Sequence, residues 1–228
     1  MKPLSPSRPR STWRQGPARL IAGLSLAIAA CASPLPPSPD PFLEPLPASV
    51  AQARDVVVAV QANSLEVARL GESLDYEARR ARLMEVGAAN FDLPRMARLS
   101  YGRGWPDLKP DQQALWVDTF VLFRFSANAK THADYRGQVY RLRGYDRVSD
   151  ETVLIRTALR YPDRTLEITI DYRLVRTEAG WKIIDRYSPP SVSEIAMRRS
   201  EYRTVLEKEG FEGLILDMER RIEGYSAR

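Results

Sequence analysis

The chain holds one cysteine and one histidine among 228 residues. A single thiol, Cys31, cannot close a disulfide within the chain, and one imidazole excludes a zinc site built from several cysteines and histidines. There is no G-x-S-x-G, no P-loop, no H-E-x-x-H and no C-x-x-C. The motif-borne routes to acyl transfer, nucleotide hydrolysis, metalloproteolysis and thiol redox chemistry are therefore missing. Hydrophobic residues make up 44% and charged residues 28%, which excludes both wholesale disorder and a membrane bundle.

Acid is absent from the first 30 residues, which carry Lys2, Arg8, Arg10, Arg14 and Arg19. That segment accounts for the whole net charge of +5; beyond it, basic and acidic residues balance at 29 each. A mature chain without it is neutral, so bulk charge gives no argument for nucleic-acid binding. The apolar run Leu20–Ala30 follows, and its 11 residues are too few to span a bilayer. Basic stretch and apolar run together read as an export signal over residues 1–30. Ile28-Ala29-Ala30-Cys31 resembles the lipobox of bacterial lipoproteins, in which the cysteine is lipidated and anchors the mature chain. Ala30-Cys31-Ala32 also fits an A-x-A-like site for ordinary cleavage before Ser33. Either reading places the protein in the periplasm.

Residues 31–49 form a linker. Seven of the 17 prolines lie there: Pro34, Pro36, Pro37, Pro39, Pro41, Pro45 and Pro47. Such a stretch favours extended polyproline II, and 16 residues at about 3.1 Å each reach roughly 50 Å. It reads equally as a spacer from a membrane anchor and as a disordered leader.

The domain proper, residues 50–228, opens with helical patterning. A first helix spans about Val50 to Gly71 and a second about Asp75 to Ala89. Asp92 is a candidate cap for a short third helix. Lys109-Pro110-Asp111 opens a fourth, whose wide apolar arc of Leu115, Trp116, Phe120, Phe123 and Ala127 predicts burial on more than one side. The period then changes to two. Val153, Ile155, Thr157, Leu159 and Tyr161 alternate, as do Leu166, Ile168, Ile170, Tyr172 and Leu174. With Gln138–Arg147 before them and Gly180–Ser188 after, four strands with short turns form an antiparallel meander. Pro189-Pro190 ends the sheet, and two helices follow, split at Gly210. The fold class is α+β: N-terminal helices, a four-stranded antiparallel meander and two C-terminal helices.

Two titratable residues invite a catalytic reading. His132 lies near the end of the fourth helix, where a base and a cation favoured by the helix C-terminus are the alternatives. Asp185 belongs to the alternation Trp181, Ile183, Asp185, Tyr187, expected to face inward opposite Lys182, Arg186 and Ser188. It fits a buried general acid or base, or an acceptor that fixes the last helices through the Ser191–Ser193 segment. No partner nucleophile accompanies either. Tyr101-Gly102-Arg103-Gly104-Trp105 follows a helix rather than a strand, so it reads as a helix stop, not a phosphate loop.

Three blocks resemble the MlaC family, the toluene-tolerance or periplasmic phospholipid-binding proteins. The first is Phe91-Asp92-Leu93-Pro94 with Arg98, Gly102, Trp105, Gln112, Trp116 and Phe120. The second is Gly180-Trp181-Lys182-Ile183-Ile184-Asp185. The third is Ser191-Val192-Ser193, Arg199-Ser200-Glu201-Tyr202 and Gly210-Phe211-Glu212-Gly213-Leu214. The stretch from Ile195 to Tyr202 is especially similar to the hopanoid-associated HpnM branch. The resemblance covers about residues 55–222.

It implies an NTF2-like cradle with an apolar cavity, no cofactor and no enzymatic activity. It implies a monomeric carrier of phospholipid, or of hopanoid, moving between an outer-membrane lipoprotein complex and an inner-membrane ABC transporter with an MCE-domain subunit. The lipobox and proline tether depart from the freely diffusing members. Two acyl chains of roughly 15 methylenes are worth about 24 kcal/mol gross when kept from water, so a carrier needs a long dry cavity. Ile155, Leu159, Ile168, Ile170, Ile183 and Tyr187 are the candidates for its sheet wall. Phe91, Leu93, Met96, Trp116, Phe120 and Phe123 are the candidates on the helices, with the cavity between sheet and fourth helix. Such stripes otherwise fill a dry core. Arg141 and Arg143 are candidates to meet a lipid phosphate. The rival functions are an NTF2-like enzyme acting on a small apolar substrate, and a tethered adaptor with a filled core.

Overall fold

A computed structural model of the chain describes residues 46–226, apart from Ala133 and Pro190. The export signal, Cys31 and most of the proline-rich linker lie outside the described residues. Helices α1 (Ala48–Leu70), α2 (Tyr76–Asn90), α3 (Leu93–Tyr101) and α4 (Pro110–Thr131) come first. Strands β1 (Val139–Ser149), β2 (Thr152–Arg160), β3 (Ile168–Thr177), β4 (Gly180–Ser188) and β5 (Val192–Ser193) follow, and then helix α5 (Glu194–Ser226). None of these helices is long and apolar enough to cross a membrane.

The helix starts follow from short polar side chains. Asp75 accepts from the Ala78 amide at 2.7 Å, and Asp92 from the Arg95 amide at 3.1 Å, satisfying donors that the first helical turn leaves free. In α4, Pro110 occupies the first turn and the Gln112 side chain reaches back to the Lys109 amide at 3.1 Å. Helix α5 carries a break at Gly210, with φ 70° and ψ −167°, where a side chain would be strained.

The sheet is an antiparallel meander in the order β1-β2-β3-β4-β5. The four expected strands form, and β5 is an addition. Beyond Pro189 the chain turns through Ser191, at φ 73°, and Ser193 pairs with Tyr187. Asp185 secures this return. Its carboxylate accepts from the Ser193 hydroxyl at 2.5 Å and the Ile195 amide at 3.2 Å, tying the start of α5 to β4.

Helix α1 lies on the inner face of the sheet, where Gln61 donates to Thr157 at 3.0 Å, both buried. Phe91, between α2 and α3, makes a bridge to Ile183, and the Asp92 amide donates to the Ile183 carbonyl at 2.9 Å. Gly87 of α2 meets the Phe125 ring of α4; a Cβ there would lie 2.1 Å from the ring.

One irregularity sets which residues face the helices. Leu174 pairs with Ile183 but Arg173 pairs with Asp185, so Ile184 is an extra residue in β4. This bulge inverts the alternation. Arg186 pairs with the buried Tyr172 and joins the inner face, while Tyr187 pairs with Asp171 on the outer face. The expected inward facing of Tyr187 and outward position of Arg186 are thereby overturned; Asp185, opposite Arg173, is nonetheless buried as expected, beneath the start of α5.

Candidate functional site

Helix α4 presents two different faces. Trp116, Phe120 and Phe123 are at most 2% exposed and belong to one packed cluster with Leu93, Met96, Tyr101 and Tyr202. Trp116 stands edge-on to Tyr101 and Tyr202 at 5.4 and 5.0 Å, and its Nε1 donates to the Ala97 carbonyl at 2.9 Å. This half is solid. The other face, through Arg124, Phe125, Asn128 and His132, borders open space beneath the sheet.

That space is divided into three. A narrow inner slit of about 40 Å³ runs among Val60, Leu83, Val86, Phe91, Phe125 and Tyr172. A second cavity of about 200 Å³ lies between Leu65, Ala68, Leu159 and Ile170. A third, of about 490 Å³, opens between Val58, Gln61, Leu65 and Leu142, along α1 and β1. Tyr140 lines all three, and Arg186 and His132 line the first two.

The polar groups here form one network. Glu194, at the first turn of α5, receives a hydrogen bond from Arg124 Nη1, and Arg186 Nε lies 3.3 Å from its other oxygen. Arg124 keeps 4% of its side chain exposed and stacks over the Phe91 ring at 4.6 Å. Burial works to raise the Glu194 carboxyl, but the guanidinium groups of Arg124, Arg186 and Arg198 outweigh it and hold it below the ordinary carboxylate range. Burial lowers Arg124, against the pull of Glu194. Burial also depresses His132, and the nearby Arg186 adds to the effect. His132 Nδ1 lies 2.8 Å from the Asn128 carbonyl, which can only accept, so that nitrogen carries the proton. Asp134 pairs with Arg136 rather than with the imidazole. Among the described residues no group of metal-binding side chains comes together.

A further cleft, of about 1240 Å³, lies elsewhere, between α3, the Gly102–Pro106 turn and α5. Arg98, Arg103, Arg199 and Arg203 rim it above Trp105 and Phe211.

The family model of the MlaC protein matches residues 59–220, most of the domain. The chain belongs to the MlaC family. A phospholipid-binding protein from Ralstonia solanacearum, solved in complex with a phospholipid, shares the fold at a TM-score of 0.68 and 19% identity, covering 77% of this chain and 99% of that one. No curated protein matches.

Within this MlaC domain, Phe91 lines the slit, and Leu159 and Ile170 line the second cavity. Ile168 pairs with Leu159 at the half-buried end of β3. Ile155 and Ile183 are fully buried on the inner face of the sheet. Leu93, Met96, Trp116, Phe120 and Phe123 lie in the solid half, and Tyr187 on the outer face. Arg141 and Arg143 lie 3.4 and 3.5 Å from Glu167 and are exposed; Arg141 also lines the third cavity, and Arg143 lines none of the three. Arg124, Arg186 and Glu194 were not singled out from the sequence. One signal was present: Arg124 interrupts the apolar run between Phe123 and Phe125, and a charge within a buried stripe is informative.

Proposed function

We propose that the protein is a periplasmic, non-enzymatic carrier that holds lipid acyl chains between the sheet and helices α1, α2 and α4. The observation that carries this reading is the set of three cavities meeting at Tyr140, in a fold whose Ralstonia relative holds a phospholipid. Phe91 in the slit and Leu65, Ala68, Leu159 and Ile170 in the second cavity offer apolar wall to acyl chains, beside the polar Asn63, Asn128, His132, Gln138 and Arg186. Pockets for drug-sized ligands occupy roughly 300–1,000 Å³, so loading requires the partitions at Tyr140 and Leu65 to shift and join these spaces. The cleft at Trp105 is larger, but it lies away from the sheet and is rimmed by Arg98, Arg103, Arg199 and Arg203.

The sequence supports the remainder of the reading. Residues 1–30 direct export, residues 31–49 space the domain from a lipidated Cys31, and residues 50–228 carry lipid between membranes. The partners are an MCE-type ABC transporter and an outer-membrane lipoprotein complex, with phospholipid or hopanoid as cargo. Native mass spectrometry of protein purified without detergent tests the carrier: a copurified lipid is expected. Protein that stays empty after incubation with lipid vesicles would instead favour the adaptor. The same spectra of protein from membrane fractions read the acyl mass on Cys31, and Cys31→Ser should release the domain.

A further inference from the structure

Lipid held beneath the sheet leaves the cleft of about 1240 Å³ at Trp105 unused, and that cleft is lined by charge of one sign. Arg98 and Arg103 stand on the side of α3 and the turn after it, Arg199 and Arg203 on the side of α5, and Glu207 is the single acid among the lining residues. All four arginines are exposed. Arg98, Arg103 and Arg199 make no ion pair among the described residues, and Arg203 meets Glu207 only at 3.9 Å, with both side chains 70% exposed. Beyond residue 30 the chain as a whole is neutral, so this is a local excess and not a share of a generally basic surface.

The floor is aromatic and fixed. Trp105 stands edge-on to Tyr101 at 6.3 Å, Phe211 is tilted against the same ring at 6.4 Å, and Tyr101 in turn packs on the buried Trp116. Leu99, Trp105, Leu206 and Phe211 are only partly covered. Arg199 is held as well: its Nε donates to the Leu99 carbonyl at 2.7 Å, and a Cβ on Gly102 would lie 3.2 Å from its stem. Its terminal amino groups make no hydrogen bond among the described residues. Aromatic rings and arginines are the side chains that protein interfaces favour, and a floor already in place leaves little to order on binding.

The walls select the kind of occupant. On α5 the lining positions Ala196, Arg199, Ser200, Arg203, Leu206 and Gly210 recur every three or four residues, one helix face over roughly 21 Å. The other wall is α3 and the Gly102–Pro106 turn, so no strand edge borders the cleft. An extended peptide would find no ladder to join, whereas a helix satisfies its own backbone groups.

We propose that this cleft is the docking site for an acidic amphipathic helix of a partner protein, with apolar side chains resting on Trp105 and Phe211 and carboxylates meeting the four arginines. It shares no lining residue with the three cavities beneath the sheet, so docking and lipid retention are separate properties.

The test places a photoactivatable benzophenone amino acid at Ser200 of the full chain, expressed in the organism that encodes it, and maps the crosslinked segment by mass spectrometry. One partner segment is expected, with net negative charge and apolar residues at i, i+3 and i+4. The second arm combines Arg103→Glu with Arg203→Glu, one reversal on each side of the cleft, with folding checked by melting temperature. The crosslinked fraction should fall at least about tenfold while copurified lipid stays at the wild-type level. Raising salt from about 50 to 500 mM should weaken the wild-type crosslink in the same direction. A crosslink to lipid, to a second copy of this chain or to a segment without acidic charge overturns the proposal, as does no crosslink at all. Wild-type crosslinking by the charge-reversed variant also overturns it, and loss of lipid together with the crosslink overturns the separation of the two sites. Should the double variant not fold, Arg103→Gln serves alone: a severalfold loss is expected, and no loss overturns the proposal.

Discussion

The two faces of α4 use similar residues to opposite ends. Toward α3 and α5, Trp116, Phe120 and Phe123 are at most 2% exposed, with Tyr101 and Tyr202 against Trp116 and Tyr225 and the Arg198 guanidinium against Phe123. Toward the sheet, Phe125 and Asn128 border a slit, and the charge of Arg124 is balanced only through Glu194 on a distant segment. Apolar stripe and open space are thus on different faces of one helix. The side that looks most hydrophobic is the foundation, and the side that carries polar residues borders the cavities proposed to hold lipid.

Substitutions on each face should separate these roles. The largest effect is expected from Trp116→Ala, which empties a closed site and leaves the Ala97 carbonyl without its donor. A loss of about 3–5 kcal/mol in urea denaturation should result, as is usual for large aromatic truncations. A loss below 1 kcal/mol would show that the solid half is not solid.

Glu194→Gln should come next, at about 3 kcal/mol near neutral pH, since it leaves two guanidinium groups without their carboxylate. The sign of the pH dependence follows from the direction of the shift. Glu194 lies below its unfolded value of 4.5 in the folded chain, so its contribution is present above that pH and is lost as pH falls through the folded value. Denaturation of wild type and variant should therefore converge in acid, and a constant gap from neutral pH to pH 3 would contradict the network.

Tyr140→Ala should have the smallest effect on stability, about 1–2 kcal/mol, because the side chain is half-buried. Its effect on capacity should be larger, because it removes the partition common to the three cavities. More lipid per protein, or longer chains, should appear in native mass spectra. Unchanged lipid would place the binding space elsewhere.

Much of this was legible in the residues. Helix spacing, the Asp92 cap, the Pro110 start and the Gly210 break are local preferences, and each formed where the sequence put it. Asp185 proved to be an acceptor fixing the start of α5, one of the two roles its surroundings allowed. The wide arc of α4 correctly implied burial on two sides. It did not say which side would be filled, because Trp116 and Phe125 are equally apolar and only the packing of α2, α3 and α5 distinguishes them.

The sequence by itself determined the α+β order, the family and the place of the four long strands, since these depend on short-range dihedral preference and on spacing along one chain. The tertiary structure alone decided the site. A single extra residue, Ile184, turned Arg186 inward and Tyr187 outward, and period-two patterning carries no mark of such a slip. The meeting of Arg124, Arg186 and Glu194 joins a helix, a strand and the start of another helix that are far apart in the chain. Their charges interact through space, so their partnership is set by where the backbone returns and not by what stands next to each in the sequence.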